Sequence, residues 1–256
     1  FEDIDTEYVL FCDDDMYLPA DFVEKMFQYL ENNNGDCVSS DVYSHEKENG
    51  MMKLFVYLHS FTSPRKDDGW AIKIKRNAAF SYNNSPRSNV LPTQSASFAC
   101  LLCNMNAYNE IHYEDERWLD NFSFASGDDQ LFYYKMYLSG YKVLQAYNTG
   151  IKHLDARSGV RVDITKKMYY QKKLLFVLWY RSIYNLKRNS PKNKFLCISA
   201  YIYRTVLGIF SLFVDTIRYK KPRFIIDYFI AIKDGYNYVH STEYMKIPLF
   251  DEFSQK

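Results

Sequence analysis

An apolar run that ends in three consecutive aspartates constrains the fold of this chain more than any other feature. Residues 8–12, Tyr-Val-Leu-Phe-Cys, suit a buried strand, and Asp13, Asp14 and Asp15 follow directly. Carboxylates at the carboxyl end of a strand are typical of ligand sites in open α/β sheets. Because three adjacent negative charges repel one another, a hard divalent cation with oxygen ligands would relieve them. The alternative is an acidic turn that only closes a strand.

The residues after the aspartates predict a strand, a helix and a second strand. The segment 22–30 keeps its apolar side chains on one helical face. Gly35 suits the left-handed position that often ends a helix, and residues 37–40 resemble a short strand. This order predicts a crossover between parallel strands, with the carboxylates at the ligand-binding edge of the sheet.

A second acidic cluster lies far downstream. Trp118 and Asp120 precede Gly127-Asp128-Asp129, and helical spacing continues to Leu138. Paired carboxylates in the first turn of a helix either cap it and favour its dipole, or include a general base. His153 follows a predicted strand. A lone histidine in that setting is more often structural than a ligand.

In this order the three clusters resemble the inverting family 2 glycosyltransferases of the GT-A fold, over roughly residues 5–160. In that family, an Asp-x-Asp motif at a strand end holds the nucleotide-sugar diphosphate through a divalent metal. A Glu/Asp-Asp pair supplies the base, and its helix commonly leads into a Gly-Tyr-Lys strand, as at residues 140–142 here. The resemblance implies a GT-A-like α/β fold with a mixed, mainly parallel sheet flanked by helices and a carboxyl-terminal helical appendage.

The resemblance also implies roles for the first cluster and the histidine. Asp13, Asp14 and Asp15 are expected to bind the nucleotide sugar. Asp15 resembles the direct metal ligand, with Asp13 and His153 completing the metal shell. A mixed oxygen and imidazole shell suits Mn²⁺ at least as well as Mg²⁺.

The second cluster is expected to carry the chemistry. Asp129 resembles the catalytic base and Asp128 the residue that holds it, while Trp118 and Asp120 lie where the family contacts its acceptor. The implied activity is a metal-dependent, inverting transfer of a hexose from a nucleotide-sugar donor. Its acceptor would be a hydroxyl of a glycan or a lipid-linked molecule, as in polysaccharide biosynthesis.

One departure from the family concerns the beginning of the chain. The family's nucleotide-binding part normally starts well ahead of the Asp-x-Asp motif, whereas Phe1 lies only twelve residues before Asp13. We therefore expect residues 1–160 to be the carboxyl-terminal part of an amino-terminally truncated glycosyltransferase domain. The resemblance does not imply that such a truncated chain is active by itself.

Residues 161–256 differ in character and predict a basic, aromatic, helical region. Residues 165–223 hold fourteen Lys and Arg and one acid, a net charge of +13, although the whole chain carries only +1. Residues 195–214 are apolar and long enough to span a bilayer. Arg204 lies near their middle, where an arginine costs about 2.5 to 3.5 kcal/mol on insertion, so a helix lying flat in the interface is favoured.

These features predict a cytoplasmic protein that is peripheral on the inner face of the cell membrane, with an anionic lipid surface as partner. Five cysteines, an odd number without a paired framework, fit a reducing compartment. The alternative is that the basic helices pack on the catalytic domain and expose a solvated face.

Other functions remain open from the residues alone. Gly127-Asp128-Asp129 also resembles the turn of RNA-dependent polymerases, but that turn requires a β-hairpin, and nucleic acid is not an expected partner. A metal-dependent hydrolase, or a glycosidase that uses two carboxylates, would explain the acids without explaining their order. A non-catalytic remnant or binding module is the remaining alternative.

Overall fold

The computed structural model describes residues 5–42, 54, 67–83, 85–122, 127–154, 163–187 and 190–250. Residues 123–126, within the second acidic cluster, lie outside this set. The described strands, in chain order, are β1 (Tyr8–Cys12), β2 (Met16–Tyr17), β3 (Cys37–Ser40), β4 (Ile72–Ile74), β5 (Phe80–Tyr82), β6 (Val90–Pro92), β7 (Cys100–Asn104), β8 (Val143–Ala146) and β9 (Lys152–His153).

The helices separate the strands and then form the carboxyl-terminal region. They are α1 (Phe22–Asn32), α2 (Met105–Glu110), α3 (Asp128–Leu138), α4 (Ile164–Trp179), α5 (Pro191–Tyr219) and α6 (Arg223–Val239). A 3₁₀ segment covers Tyr113–Asn121 and another covers Tyr244–Lys246. A π-helical turn, Tyr180–Tyr184, continues α4 and is followed by a helical turn at Asn185–Lys187.

Within the described residues, the central sheet has the strand order β1-β7-β3-β8-β6. Strands β3 and β8 are parallel, whereas β7 is antiparallel to both β1 and β3, and β6 is antiparallel to β8. This mixed sheet with flanking helices confirms the predicted α/β fold class. The expectation of a mainly parallel sheet is wrong, because three of the four strand pairs described in the central sheet are antiparallel. Strands β1 and β3 point the same way but do not pair, because β7 lies between them.

Helix α1 covers one face of the sheet through a single apolar stripe. Phe22, Met26 and Leu30 are buried at successive four-residue intervals and pack with Val38 and Leu144. The end of α1 differs from the expectation. Asn34, not Gly35, takes the left-handed conformation, with φ 47°. Gly35 is needed for space, because an added Cβ would lie 2.4 Å from Leu144 Cδ1.

The carboxyl-terminal helices share a core with the sheet domain. One hydrophobic cluster includes Leu131 of α3 and Trp118, together with Leu174, Trp179 and Tyr201 from α4 and α5. The predicted boundary between residues 1–160 and 161–256 therefore crosses a common core. The division itself stays a prediction, since contacts of this kind do not define independent folding.

A buried ion cluster joins three segments of this core. Glu116 in the 3₁₀ segment contacts Arg181 Nη2 at 2.7 Å and Lys135 Nζ at 3.0 Å through Oε1. Its Oε2 accepts hydrogen bonds from Arg181 Nε at 2.8 Å and Trp118 Nε1 at 2.5 Å. Burial alone would raise the pKa of Glu116, but Arg181 and Lys135 hold it below its usual value. The carboxylate is therefore ionised and bonded on both oxygens.

The ion cluster should be essential for stability, because removing one partner of a buried ion pair leaves uncompensated charge. Arg181→Leu is expected to lower the free energy of unfolding by about 3 to 5 kcal/mol. Arg117→Leu is the matched control, since Arg117 is exposed, and it should change stability by about 0.5 kcal/mol or less. Denaturant unfolding measures both, and equal effects of the two changes would contradict the assignment.

Candidate active site

The end of β1 presents the first acidic cluster. The backbone N–H of Asp13 donates to the Ala99 carbonyl at 2.9 Å, which continues the pairing of β1 with β7 by one residue. Asp13 and Asp14 are exposed, whereas Asp15 is half-buried. The strand thus delivers its carboxylates at the sheet edge, as the sequence predicts.

A two-stranded ribbon brings His153 to Asp15. Strands β2 and β9 are antiparallel, with Met16 opposite His153, and the N–H of Leu154 donates to the Asp15 carbonyl at 2.7 Å. His153 Nε2 lies 3.2 Å from Asp15 Oδ2. Two of the predicted metal ligands are therefore neighbours in the fold.

The second acidic cluster begins helix α3. Gly127 occupies the N-cap position with φ 109°, so neither Asp128 nor Asp129 is the N-cap residue. A side chain at Gly127 would also meet Leu178 of α4, whose Cδ1 lies 2.5 Å from an added Cβ. Asp128 is exposed and Asp129 is half-buried. Because these residues start a helix and not a hairpin, the structure does not support the polymerase-like alternative.

Asp129 has the environment of a general base. Burial first, and the adjacent Asp128 second, raise the pKa of Asp129 to about 6, although a hydrogen bond from the Phe98 N–H opposes the shift. The loop that carries Phe98 is fixed because the Ser97 carbonyl accepts hydrogen bonds from Tyr133 Oη at 2.8 Å and Ser39 Oγ at 2.7 Å. A carboxylate with a pKa near neutrality is suited to proton abstraction at physiological pH.

The two acidic clusters influence each other's ionisation. Burial and the neighbouring Asp15 and Asp14 raise the pKa of Asp13, and Asp128 contributes to the same shift. Asp13 in turn contributes to the raised pKa of Asp129. Residues from the end of β1 and from the start of α3 thus lie within electrostatic range of one another. This concentration of negative charge favours a cationic ligand.

Whether these residues fit a divalent ion depends on which side chains can act as its ligands. Among the described residues, no group of three or more His, Cys, Asp and Glu is arranged to hold a metal ion. Asp15 and His153 do converge, and a divalent ion that binds a phosphorylated ligand often uses only one or two protein groups. The pair therefore fits an ion whose remaining ligands come from phosphate oxygens. The metal role of Asp13 stays a prediction.

The two residues predicted to contact an acceptor lie in different settings. Trp118 is 4% exposed, packs against Phe122, and donates its indole N–H to Glu116. Its observed role is in packing and in the ion cluster. Asp120 is exposed on the same 3₁₀ segment. No contact in the structure tests either acceptor assignment.

Several residues that shape the site were not predicted from the sequence. The Phe98 N–H that faces Asp129 belongs to the backbone, and no side-chain pattern reveals it. Strands β2 and β9 have two residues each, too few for a period-two pattern. The buried ion-pairing role of Glu116 is not predictable from the sequence, because Glu114 and Asp115 stand beside it and no pattern distinguishes it from them.

Comparison with known families gives one match. Residues 1–86 match the model of the family described as Glycosyl transferase family 2. The matched segment is about a third of the chain and is similar to family 2 glycosyltransferases. The match confirms the resemblance for the region that holds Asp13, Asp14 and Asp15, and it supports glycosyl transfer as the general function. Asp128, Asp129 and His153 lie outside the matched range. No curated protein matches the chain.

The environment of Asp129 should be visible in its titration. The side-chain carboxyl carbon, followed by NMR, is expected to titrate near pH 6. Asp128→Asn removes the adjacent negative charge and should lower the pKa of Asp129, whereas Asp21→Asn on α1's N-cap should leave it unchanged. An Asp129 pKa near 4 in the parent protein, or no response to Asp128→Asn, would contradict the account.

Proposed function

We propose that this protein transfers a sugar from a nucleotide-sugar donor to an acceptor hydroxyl, with inversion at the anomeric carbon and with a divalent metal. The observation that carries the proposal is the pKa of Asp129, raised to about 6 by burial, by Asp128 and by Asp13 at the end of β1. The family match at residues 1–86 supports the same reaction class.

Asp129 acts as the base in this proposal. A sugar hydroxyl is a poor nucleophile at neutral pH, so its proton must pass to a carboxylate as the oxygen attacks the anomeric carbon. The new bond forms between the acceptor oxygen and that carbon, while the bond to the donor diphosphate breaks. The proton remains on Asp129 and the electron pair leaves with the diphosphate. A single displacement of this kind inverts the configuration.

Asp15 and His153 would hold the diphosphate end of the donor on the opposite side of the sugar. A divalent ion bound there supplies positive charge that offsets the charge of the leaving group. Mn²⁺ suits the carboxylate and imidazole pair, and Mg²⁺ is the alternative. Asp13 and Asp14 border the same position and would contact the ribose or the ion's water ligands. Asp128 orients Asp129 and sustains its raised pKa.

We further propose that the protein works at the inner surface of the cell membrane, on a glycan or lipid-linked acceptor. Among the described residues, one helical stretch, Pro191–Val214 of α5, is long and apolar enough to cross a membrane by length and composition. Only 17% of an apolar 18-residue segment within this stretch is buried inside the protein. Arg204 Nη1 donates to the Asn77 carbonyl at 2.6 Å, which fastens the middle of α5 to the β4–β5 turn. That contact favours a peripheral helix over a spanning one.

The donor side is tested by removing the proposed metal ligand. Asp15→Ala should abolish Mn²⁺-dependent binding of a nucleoside diphosphate, because one carboxylate is lost from a small ligand set. Glu24→Ala, an exposed acid on α1, is the control and should bind as the parent does. Calorimetry with and without Mn²⁺ measures the affinity. Unchanged Mn²⁺-dependent affinity in Asp15→Ala would show that the ion lies elsewhere.

The base is tested by a change that preserves shape. Asp129→Asn keeps the size of the side chain but cannot accept the proton, so turnover should fall by roughly 10² to 10⁴. Donor affinity should remain nearly intact, because Asp129 is not proposed to bind the diphosphate. Turnover measured as diphosphate release, together with donor affinity, separates these effects. Full turnover in Asp129→Asn would mean that Asp129 is not the base and that Asp128 or Asp120 is the next candidate.

A further inference from the structure

A basic pocket lies apart from the acidic site, between the start of α4 and the turn that joins α5 to α6. Its volume is about 920 Å³. The cationic side chains that line it are Lys166 from α4, Lys220 and Lys221 from the turn, and Arg223 at the start of α6. None of the residues proposed for catalysis or metal binding lines this pocket.

The acids of the pocket do not cancel its positive charge. Asp163 is the N-cap residue of α4, where its carboxylate accepts a hydrogen bond from the Thr165 N–H at 2.9 Å. Asp227 pairs with Arg223 at 3.2 Å. With four cations and two acids among its lining residues, the pocket keeps a net positive charge. A pocket of this composition suits a phosphate group.

The lysines are held at the pocket by the fold. Lys220 takes the left-handed conformation that ends α5, with φ 54°, a position where glycine is usual. Lys221 Nζ donates to Thr165 Oγ1 at 3.2 Å, which links the turn to the first turn of α4. Lys166 and Lys220 are both exposed, so an incoming anion meets them without a conformational change.

An exposed apolar face adjoins this pocket. Helix α5 leaves a stripe of large apolar side chains in contact with solvent, at spacings of three, four and seven residues that define one helical face. The stripe consists of Phe195, Ile202, Val206, Phe210, Phe213 and Ile217. It ends one turn before Lys220. Ile226, Phe229 and Ile230 on α6 are also exposed, and Ile230 lines the pocket itself.

We propose that this pocket binds the phosphate headgroup of an anionic membrane lipid while the apolar stripe of α5 lies in the outer part of the bilayer. The inference rests on the proposed membrane location and assigns the residues that create it. Apolar side chains beside a cationic pocket match the two parts of a phospholipid. A soluble anion would use the pocket but would leave the stripe exposed to water. An exposed apolar stripe of this length is expected to be buried in an apolar environment such as a bilayer.

The experiment measures binding to phosphatidylcholine vesicles with and without phosphatidylglycerol. The variant Lys220→Asn/Lys221→Gln removes two pocket charges, and asparagine tolerates the left-handed position. Lys142→Gln/Lys152→Gln is the matched control, because it removes the same charge from exposed positions outside the carboxyl-terminal helices. Since a surface lysine contributes about 1 kcal/mol, the pocket variant should bind anionic vesicles about thirtyfold more weakly. The control should lose less than threefold.

A second variant tests the apolar stripe. Phe210→Gln/Phe213→Gln changes side chains that are 65% and 57% exposed, so folding should be retained. Vesicle binding should fall by more than tenfold at both low and high salt, because burial of apolar surface is not screened by ions. Circular dichroism checks the fold of each variant. Unchanged vesicle binding in this variant would show that the apolar stripe does not enter the bilayer.

The remaining outcomes distinguish the sources of failure. Equal losses in the two lysine variants would mean that net charge, not the pocket, determines binding. Inorganic phosphate that displaces the protein from anionic vesicles at millimolar concentration would identify a site for soluble anions and overturn the lipid assignment. If the parent protein binds no vesicles, the membrane location fails as well. Turnover of the pocket variant on a soluble acceptor should equal that of the parent, so the role of Asp129 is tested independently.

Discussion

The ion cluster around the buried carboxylate of Glu116 joins the 3₁₀ segment, α3 and the carboxyl-terminal helices in one core. The carboxylate binds Arg181 from the π-helical turn, Lys135 from α3 and the indole of Trp118, all within the core. A charge in that position is tolerated only when each oxygen has partners. The cluster therefore fixes α3, which carries Asp129 in its first turn, against the carboxyl-terminal helices. The candidate site and the carboxyl-terminal helices are thus connected through the two ion pairs of Glu116.

That coupling explains why the carboxyl-terminal helices are more than an attached tail. Trp179 donates its indole N–H to the Arg76 carbonyl at 3.0 Å, and Arg204 reaches Asn77 in the same turn. Leu178 packs against Gly127, directly beside the first turn of α3. The same helices that complete the core near Asp129 also expose the apolar stripe and form the basic pocket. In this account, the orientation of the acidic site relative to a membrane is fixed by the packing of α4 and α5.

The sequence predicted those parts of the fold that have a period or a charge pattern. Helix α1 was predicted because Phe22, Met26 and Leu30 repeat at helical spacing, and β1 because its apolar run stops at the aspartates. The insertion of β7 between β1 and β3 was not predictable, since pairing order depends on distant residues. The left-handed residue at the end of α1 was assigned to Gly35, but the space beside Leu144 decides that position and Asn34 adopts the turn. The pKa of Asp129 likewise depends on burial that no local pattern encodes.

The proposed function requires the carboxylates at the end of β1 and those at the start of α3 to form one site. Paramagnetic relaxation by Mn²⁺, bound together with a nucleoside diphosphate, tests this requirement. The Asp129 carboxyl carbon should relax strongly, and the Asp227 carboxyl carbon, which lies in the basic pocket on α6, should relax much more weakly. Relaxation of Asp129 no stronger than that of Asp227 would contradict the claim that the two acidic clusters act together.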